Sequence, residues 1–174
     1  MSELKSWILI IIVAFLLSFL VRVYIVQPYR VEMTSMYDTL TPNDLVLVDK
    51  VSYRLHLPRR GDVVVFVPPN DPTEKYIKRV IGLSGEKISV HENRVYVDGK
   101  PLSEPYLHSP MLSDFPETEV PEDYIFVMGD NRSVSLDSRS FGPVNISTVV
   151  GRAIFVYWPF NHIEGLCAYS GENP

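Results

Sequence analysis

The chain has a single cysteine, Cys167, so no internal disulfide holds the fold together and its stability does not depend on oxidation. That residue reads as a small apolar side chain near the C-terminus. No H-E-x-x-H run and no cysteine pair occurs, which removes the usual zinc-binding patterns. A G-x-S-x-G elbow is also missing, and His56, His91, His108 and His162 stand in ordinary surface or strand positions. A Ser-His-Asp hydrolase therefore has no visible parts to be built from. Basic residues are outnumbered, 16 against 21 acidic, for a net charge of −5. A nucleic-acid binder would show a basic face instead. No internal repeat of about 20–50 residues is present.

Apolar residues, by contrast, crowd the start. Trp7 to Val21 carries no charge and one hydroxyl, Ser18; Arg22 interrupts the run and Val23 to Val26 continue it. From 7 to 26 there are 20 residues, and a helix of that length, about 30 Å, matches a bilayer core. It is apolar on every face, unlike a core helix of a soluble domain. Trp7 and Tyr24 suit the two interfaces, and Arg22 can reach headgroups. Past Phe19 the sequence FLVRVYIVQPYRVEM offers no pair of small residues at the spacing a cleavage site needs. The segment is therefore expected to persist as a single-pass anchor, residues 1–27, with one domain over 28–174. Charge leaves the orientation open, because Lys5 and the amino terminus are offset by Glu3 on one side and Arg22 and Arg30 lie on the other.

Beyond Pro28 the pattern is one of short Val-, Ile-, Phe- and Tyr-rich strands at 44–50, 62–67, 76–81, 87–91, 94–97, 124–128 and 153–158. Turn chemistry separates them, including Pro42-Asn43, Arg60-Gly61-Asp62 and Ser84-Gly85. Residues 88–97 read as a hairpin around Glu92-Asn93, with a second turn at Asp98-Gly99. Residues 102–123 hold four prolines and no periodicity, and are expected to form a long surface excursion. Helix is expected only in the anchor and briefly near 135–140 or 145–150. The fold class is mainly β: a transmembrane helix followed by an antiparallel β-sheet domain.

Two residues in this frame can carry chemistry together. Ser35 sits in Thr34-Ser35-Met36 just past the apolar segment, and Lys78 sits in the strand-like run Tyr76-Ile77-Lys78-Arg79-Val80. A serine hydroxyl becomes a good nucleophile when a base takes its proton. A lysine amine is such a base once burial lowers its pKa from about 10.4 toward neutrality. The densest polar run, Gly129-Asp130-Asn131-Arg132-Ser133-Val134-Ser135-Leu136-Asp137-Ser138-Arg139-Ser140-Phe141-Gly142-Pro143, directly follows an apolar strand. It is not a calcium loop, since Arg132 and Val134 occupy positions that need oxygen ligands.

Together with Ser35-Met36, Arg60-Gly61-Asp62-Val63-Val64 and Tyr76-Ile77-Lys78-Arg79, that run resembles, in order and spacing, the type I signal peptidases. These are membrane-anchored serine endopeptidases that remove signal peptides from exported preproteins after small residues of the Ala-x-Ala type. The resemblance spans nearly the whole chain. It implies Ser35 as nucleophile, Lys78 as general base, and Ser135 as the hydroxyl that orients the lysine amine. It also implies that the Ser35 N–H donates to the oxyanion, and that Asp130, Arg132, Asp137 and Arg139 form a charged scaffold. The implied partners are signal peptides of preproteins and the lipid bilayer, with no nucleic acid, metal or cofactor. The implied location is the plasma membrane, with the catalytic domain on the extracytoplasmic side.

Two positions depart from the family pattern. Asp38 stands where members often have proline in the Ser-Met-x-Pro-Thr run, and Met33 stands where some have a serine that completes the oxyanion hole. Methionine cannot donate, so a second donor would have to be backbone or water. Val31, Met33, Met36 and Tyr37 are candidate pocket neighbours by proximity to Ser35. A rival from another class is a membrane-tethered β domain that binds exported peptides without cutting them. Such a module has no need of a buried lysine beside a serine. SOS-repressor-type autoproteases share the Ser/Lys chemistry but would have a DNA-binding domain in place of the anchor.

Overall fold

The computed structural model describes residues 2–37, 39–107 and 113–166. It opens on α1 (Ser2–Tyr24), whose side chains from Glu3 onward are exposed around its whole circumference. The mean hydropathy of Glu3–Tyr24 reaches 2.6, enough to cross a membrane by length and composition. The helix ends earlier than the apolar run does. Val26 and Gln27 belong to the first strand, β1 (Val26–Arg30), because their backbone finds partners on β2 (Leu45–Asp49), with Val26 opposite Asp49 and Pro28 opposite Leu47. Proline is tolerated there because β1 lies at the edge of its sheet.

After β2 comes α2 (Ser52–Leu55), a single turn that the hydrophobic pattern does not announce. Then follow β3 (Val63–Phe66), β4 (Tyr76–Gly82), β5 (Lys87–His91), β6 (Arg94–Val97), β7 (Lys100–Pro101) and β8 (Phe115–Glu119). The chain closes with β9 (Tyr124–Met128), α3 (Ser138–Phe141), β10 (Val144–Asn145), β11 (Val149–Trp158) and β12 (Glu164–Gly165). All pairings are antiparallel, and the larger sheet runs β1-β2-β11-β3-β4-β9-β10 with β12 on β11. A second sheet runs β7-β6-β5-β8.

Each expected strand forms, and the expected hairpin does too. Glu92 and Asn93 both adopt positive φ (50° and 61°), as a two-residue turn that follows strand twist requires. Asp98 and Gly99 repeat the device (51° and 72°) between β6 and β7. The proline-rich stretch is more structured than its composition implies. Within it, β8 pairs with β5, and the Leu102 N–H donates to the Val95 carbonyl at 2.8 Å. Pro116 does not prevent this, since β8 lies at an edge, and Pro121 falls beyond the strand.

Alternation along the strands sends side chains to two faces. Val46, Val48, Val63, Val65, Ala153 and Val156 form one core with Val31, Met36 and Leu40. Val64, Phe66, Val80, Ile125 and Val127 form another on the opposite face. Burying such side chains stabilises by about 1.5–3 kcal/mol each. A third cluster, with Ile81, Ile88, Val95 and Phe126, fastens the small sheet to the large one.

Candidate functional site

Although β1 and β4 are separated by three strands in the sheet order, residues of both line one cleft of about 430 Å³. The sheet therefore curls around its first core. One wall is Gln27–Met33 and the other Thr73–Lys78, with Ser35 and Lys78 at the floor. Each wall offers open backbone among the described residues. β1 is paired only with β2, and β9 joins β4 only from Arg79 onward, leaving Tyr76–Lys78 uncovered on that side.

Lys78 is buried at 2% exposure on β4, and its Nζ lies 2.6 Å from Ser35 Oγ. It also donates to the Ile77 carbonyl at 3.1 Å. Burial pulls the Lys78 pKa down from 10.5 to about 8, against the opposing pull of Asp137 and Asp130. Desolvation prevails because both carboxylates already have a cationic partner. Asp130 accepts from Arg79 Nε at 2.9 Å and Nη2 at 2.6 Å, and Asp137 accepts from Arg139 Nε and Nη2, both at 2.9 Å.

Ser35 is held by a turn in which the Tyr37 N–H donates to the Thr34 carbonyl. The polar run after β9 grips this turn from behind. The Asn131 N–H donates to the Ser35 carbonyl at 3.1 Å, and Asn131 Nδ2 donates to the Thr34 carbonyl at 3.1 Å. Thr39 Oγ1 donates to Asp130 at 2.5 Å and accepts from Arg79 at 3.1 Å, tying the far end of the loop to the same ion pair. Among the described residues the Ser35 N–H donates to no acceptor, so it is available to a developing oxyanion.

The four charged residues of the polar run come together behind the pair rather than in the cleft. Arg132 Nε donates to the Gly129 carbonyl at 3.0 Å, and its guanidinium is bidentate on Glu104. Arg139 reaches the Arg132 carbonyl at 2.8 Å, and the Gly129 N–H donates to Asp137 at 3.0 Å. Ser135 is close by, but its Oγ is buried with no hydrogen-bond partner among the described residues, and Lys78 is not bonded to it. Gly129 explains the tight assembly. A Cβ on it would stand 2.2 Å from Ser135 Oγ and 2.3 Å from the Ser35 carbonyl oxygen.

Of the expected pocket neighbours, Val31 and Met33 line the cleft. Met36 and Tyr37 do not: Met36 is fully buried in the first core, and Tyr37 is half exposed outside the cleft lining. Proximity in sequence misleads here because the turn at 34–37 sends successive side chains in different directions. Asp38, the residue in place of proline, lies outside the described residues, as do Cys167 and His108. The sequence reading missed Arg79 and Glu104 as the partners of Asp130 and Arg132, and Tyr106, whose ring lies 4.0 Å from the Arg79 guanidinium carbon. Arg79 was legible as a charge inside an apolar strand, but nothing in the proline-rich stretch marks Glu104.

Residues 4–158 match the family described as signal peptidase, peptidase S26. The chain is 38% identical over 163 residues to a probable signal peptidase I-1 of Synechocystis, covering 90% of this chain and 83% of the relative. It is 36% identical over 174 residues to a signal peptidase I of Bacillus licheniformis, covering 94% and 93%. The crystal structure of a signal peptidase I from Enterococcus faecalis superposes with a TM-score of 0.51 at 34% identity. That match covers 56% of this chain and 97% of the other.

Proposed function

We propose, from the premise that this chain belongs to the signal peptidase family, peptidase S26, that Ser35 and Lys78 are the nucleophile and general base with which it cuts. Signal-peptide cleavage by a serine peptidase is the activity. The observation that carries the residue assignment is the buried 2.6 Å contact between Lys78 Nζ and Ser35 Oγ at the floor of an open cleft. With a Lys78 pKa of about 8, roughly a tenth of the amine is neutral at pH 7, enough for a base.

In the proposed cycle the substrate lies extended in the cleft, its backbone facing the uncovered edges of 27–33 and 76–78, and small side chains enter beside Val31 and Met33. Neutral Lys78 takes the Ser35 proton as Oγ attacks the scissile carbonyl. The Ser35 N–H receives the oxyanion. Protonated Lys78 then gives its proton to the departing amine, leaving an acyl ester on Ser35. Water, deprotonated by Lys78, hydrolyses the ester and restores the enzyme. Ser135 orients the amine once substrate covers the cleft, and its unpartnered hydroxyl supports that role. Asp130, Arg132, Asp137 and Arg139 keep the polar run packed against the serine loop. No step uses a metal or cofactor.

α1 suits a membrane anchor. We assign the chain through Ile25 to that anchor and the chain from β1 onward, beginning at Val26, to the catalytic domain, held on the extracytoplasmic side of the plasma membrane, where exported preproteins emerge. The test is to mix the detergent-solubilised chain with a peptide containing Ala-x-Ala and identify the new amino terminus. Cleavage after the second alanine is the expected result. Binding without cleavage would leave only a peptide-binding module.

A further inference from the structure

The rim of the cleft carries charge that the proposed cycle does not use. Lys75, just before β4, reaches across to the β1 wall: its Nζ lies 3.4 Å from Tyr29 Oη and 5.3 Å from the centre of the Tyr29 ring. Tyr29 is held in place, because it packs on the first core. The lysine stays exposed at the mouth of the cleft. Arg30, its exposed counterpart on the other wall, lines the same cleft. Among the described residues neither cation has a carboxylate within ion-pair distance. Glu32 and Glu74 line the cleft as well, but neither pairs with Lys75.

The place of this pair along the cleft fixes which part of a substrate meets it. Lys75 precedes Lys78 by three residues, about 10 Å of extended chain. β1 starts at Val26, at the foot of α1, and runs toward Ser35, so the Tyr29 end of the cleft is the end nearer the anchor. A signal peptide leaving the same bilayer fills that end with residues on the amino side of the cut. With the residue at the cut opposite Lys78, the fourth residue before the cut stands opposite Lys75. Alternation along an extended substrate then sets its side chains. If the two alanines of Ala-x-Ala point to the floor beside Val31, the residue directly ahead of them points outward, to the rim where Lys75 stands.

We propose that Lys75, steadied by Tyr29, is a specificity-determining residue that favours a carboxylate side chain on the residue directly ahead of Ala-x-Ala. An ammonium group bonds a carboxylate more strongly than it bonds a neutral phenol, so the amine leaves its 3.4 Å contact with Tyr29 for an acidic substrate side chain. A lysine or arginine at the same substrate position meets like charge instead and is disfavoured. Both effects act on the choice among substrates and leave the chemistry at Ser35 as it is. The inference rests on the reading of Ser35 and Lys78 as the cutting pair and of α1 as the anchor.

The test uses the detergent-solubilised full chain and three peptides that differ only in the residue directly ahead of Ala-Gln-Ala, which is glutamate, glutamine or lysine. A second set keeps glutamine there and places glutamate or lysine between the two alanines. Each enzyme is read by the ratio of its own kcat/KM values, so a change in folded fraction cancels. Wild type should prefer glutamate over lysine in the first set by about fivefold, the scale of an exposed ion pair. Lys75→Gln should bring that ratio close to one, and Lys75→Glu should reverse it. A wild-type ratio near one, with every peptide cut after the second alanine, overturns the subsite while the cutting pair stands. No cleavage of any peptide overturns the reading beneath it. A ratio in Lys75→Glu equal to that of wild type removes Lys75 as its source. A preference confined to the second set overturns the placement.

Discussion

Lys78 and Ser35 are 43 positions apart in the chain, yet the amine and the hydroxyl sit 2.6 Å from each other in a buried contact. Lysine rarely occupies such a place unless something uses it. Ser35→Ala and Lys78→Ala should each abolish cleavage with the fold intact, and the double variant should be no worse than either, because the two act as one unit. Lys78→Arg should be equally inactive, since guanidinium does not give up its proton in a protein. Turnover near wild type in any of these, measured on a signal-peptide substrate, would remove the assignment.

The depressed lysine pKa gives a pH signature in both activity and stability. On the acid side kcat/KM should rise with pH and level off above about 8, as the amine becomes neutral. Stability follows from the same shift. Below about 8 both folded and unfolded Lys78 are charged, and burying that charge costs the fold on the order of 3 kcal/mol. Between about 8 and 10.5 only the unfolded lysine keeps its proton, so this cost fades as pH rises and is gone above the upper value. Lys78→Met should therefore raise the melting temperature at pH 7 and lose that advantage toward pH 10.5. An advantage that is constant with pH would contradict the linkage.

Ser135→Ala should leave resting stability nearly unchanged, because its hydroxyl makes no hydrogen bond among the described residues. Turnover should nonetheless fall by roughly ten- to a hundredfold, the effect of losing an orienting bond of about 1–3 kcal/mol in the active complex. Ser133→Ala, at an exposed position, should be silent. Ser138→Ala is a test of stability rather than a neutral control, because its Oγ accepts from the buried Val127 N–H at 2.9 Å. Equal turnover in the Ser135 and Ser133 variants would take Ser135 out of the cycle.

Gly129→Ala should disable the enzyme without touching either reacting group. The new methyl would stand 2.3 Å from the Ser35 carbonyl oxygen, so the backbone carrying the serine must move. A displacement of about 1 Å costs on the order of a hundredfold in rate. Wild-type kcat from this variant would mean that the serine loop tolerates repositioning.

Much of the architecture was legible locally. Alternation in Leu45–Asp49 marks a strand because the period of two puts Val46 and Val48 on one face, the continuous apolar run Val63–Phe66 marks a strand buried on both faces, and Glu92-Asn93 marks a hairpin because both residues adopt positive φ. The end of α1 was not legible, because Val23 to Val26 are as apolar as the helix and only pairing with β2 turns the last of them into strand. Nor was β8, whose Pro116 argues against a strand until β5 supplies the partner.

By itself the amino-acid order determined the long apolar N-terminal helix and the mainly antiparallel β domain, and it singled out Ser35, Lys78 and the polar run as candidates. Those are properties of residue type, period and motif spacing, which need no knowledge of what lies opposite. Tertiary structure alone decided that β1 and β4 meet across one cleft, and that Met36 turns into the core while Met33 faces the cleft. It also decided that Arg79 and Arg139 cover the carboxylates beside Lys78. The lysine's pKa belongs to this second group. Desolvation depends on everything packed around the amine, and a carboxylate lowers or spares that effect according to whether an arginine reaches it first, which no local pattern in the chain can encode.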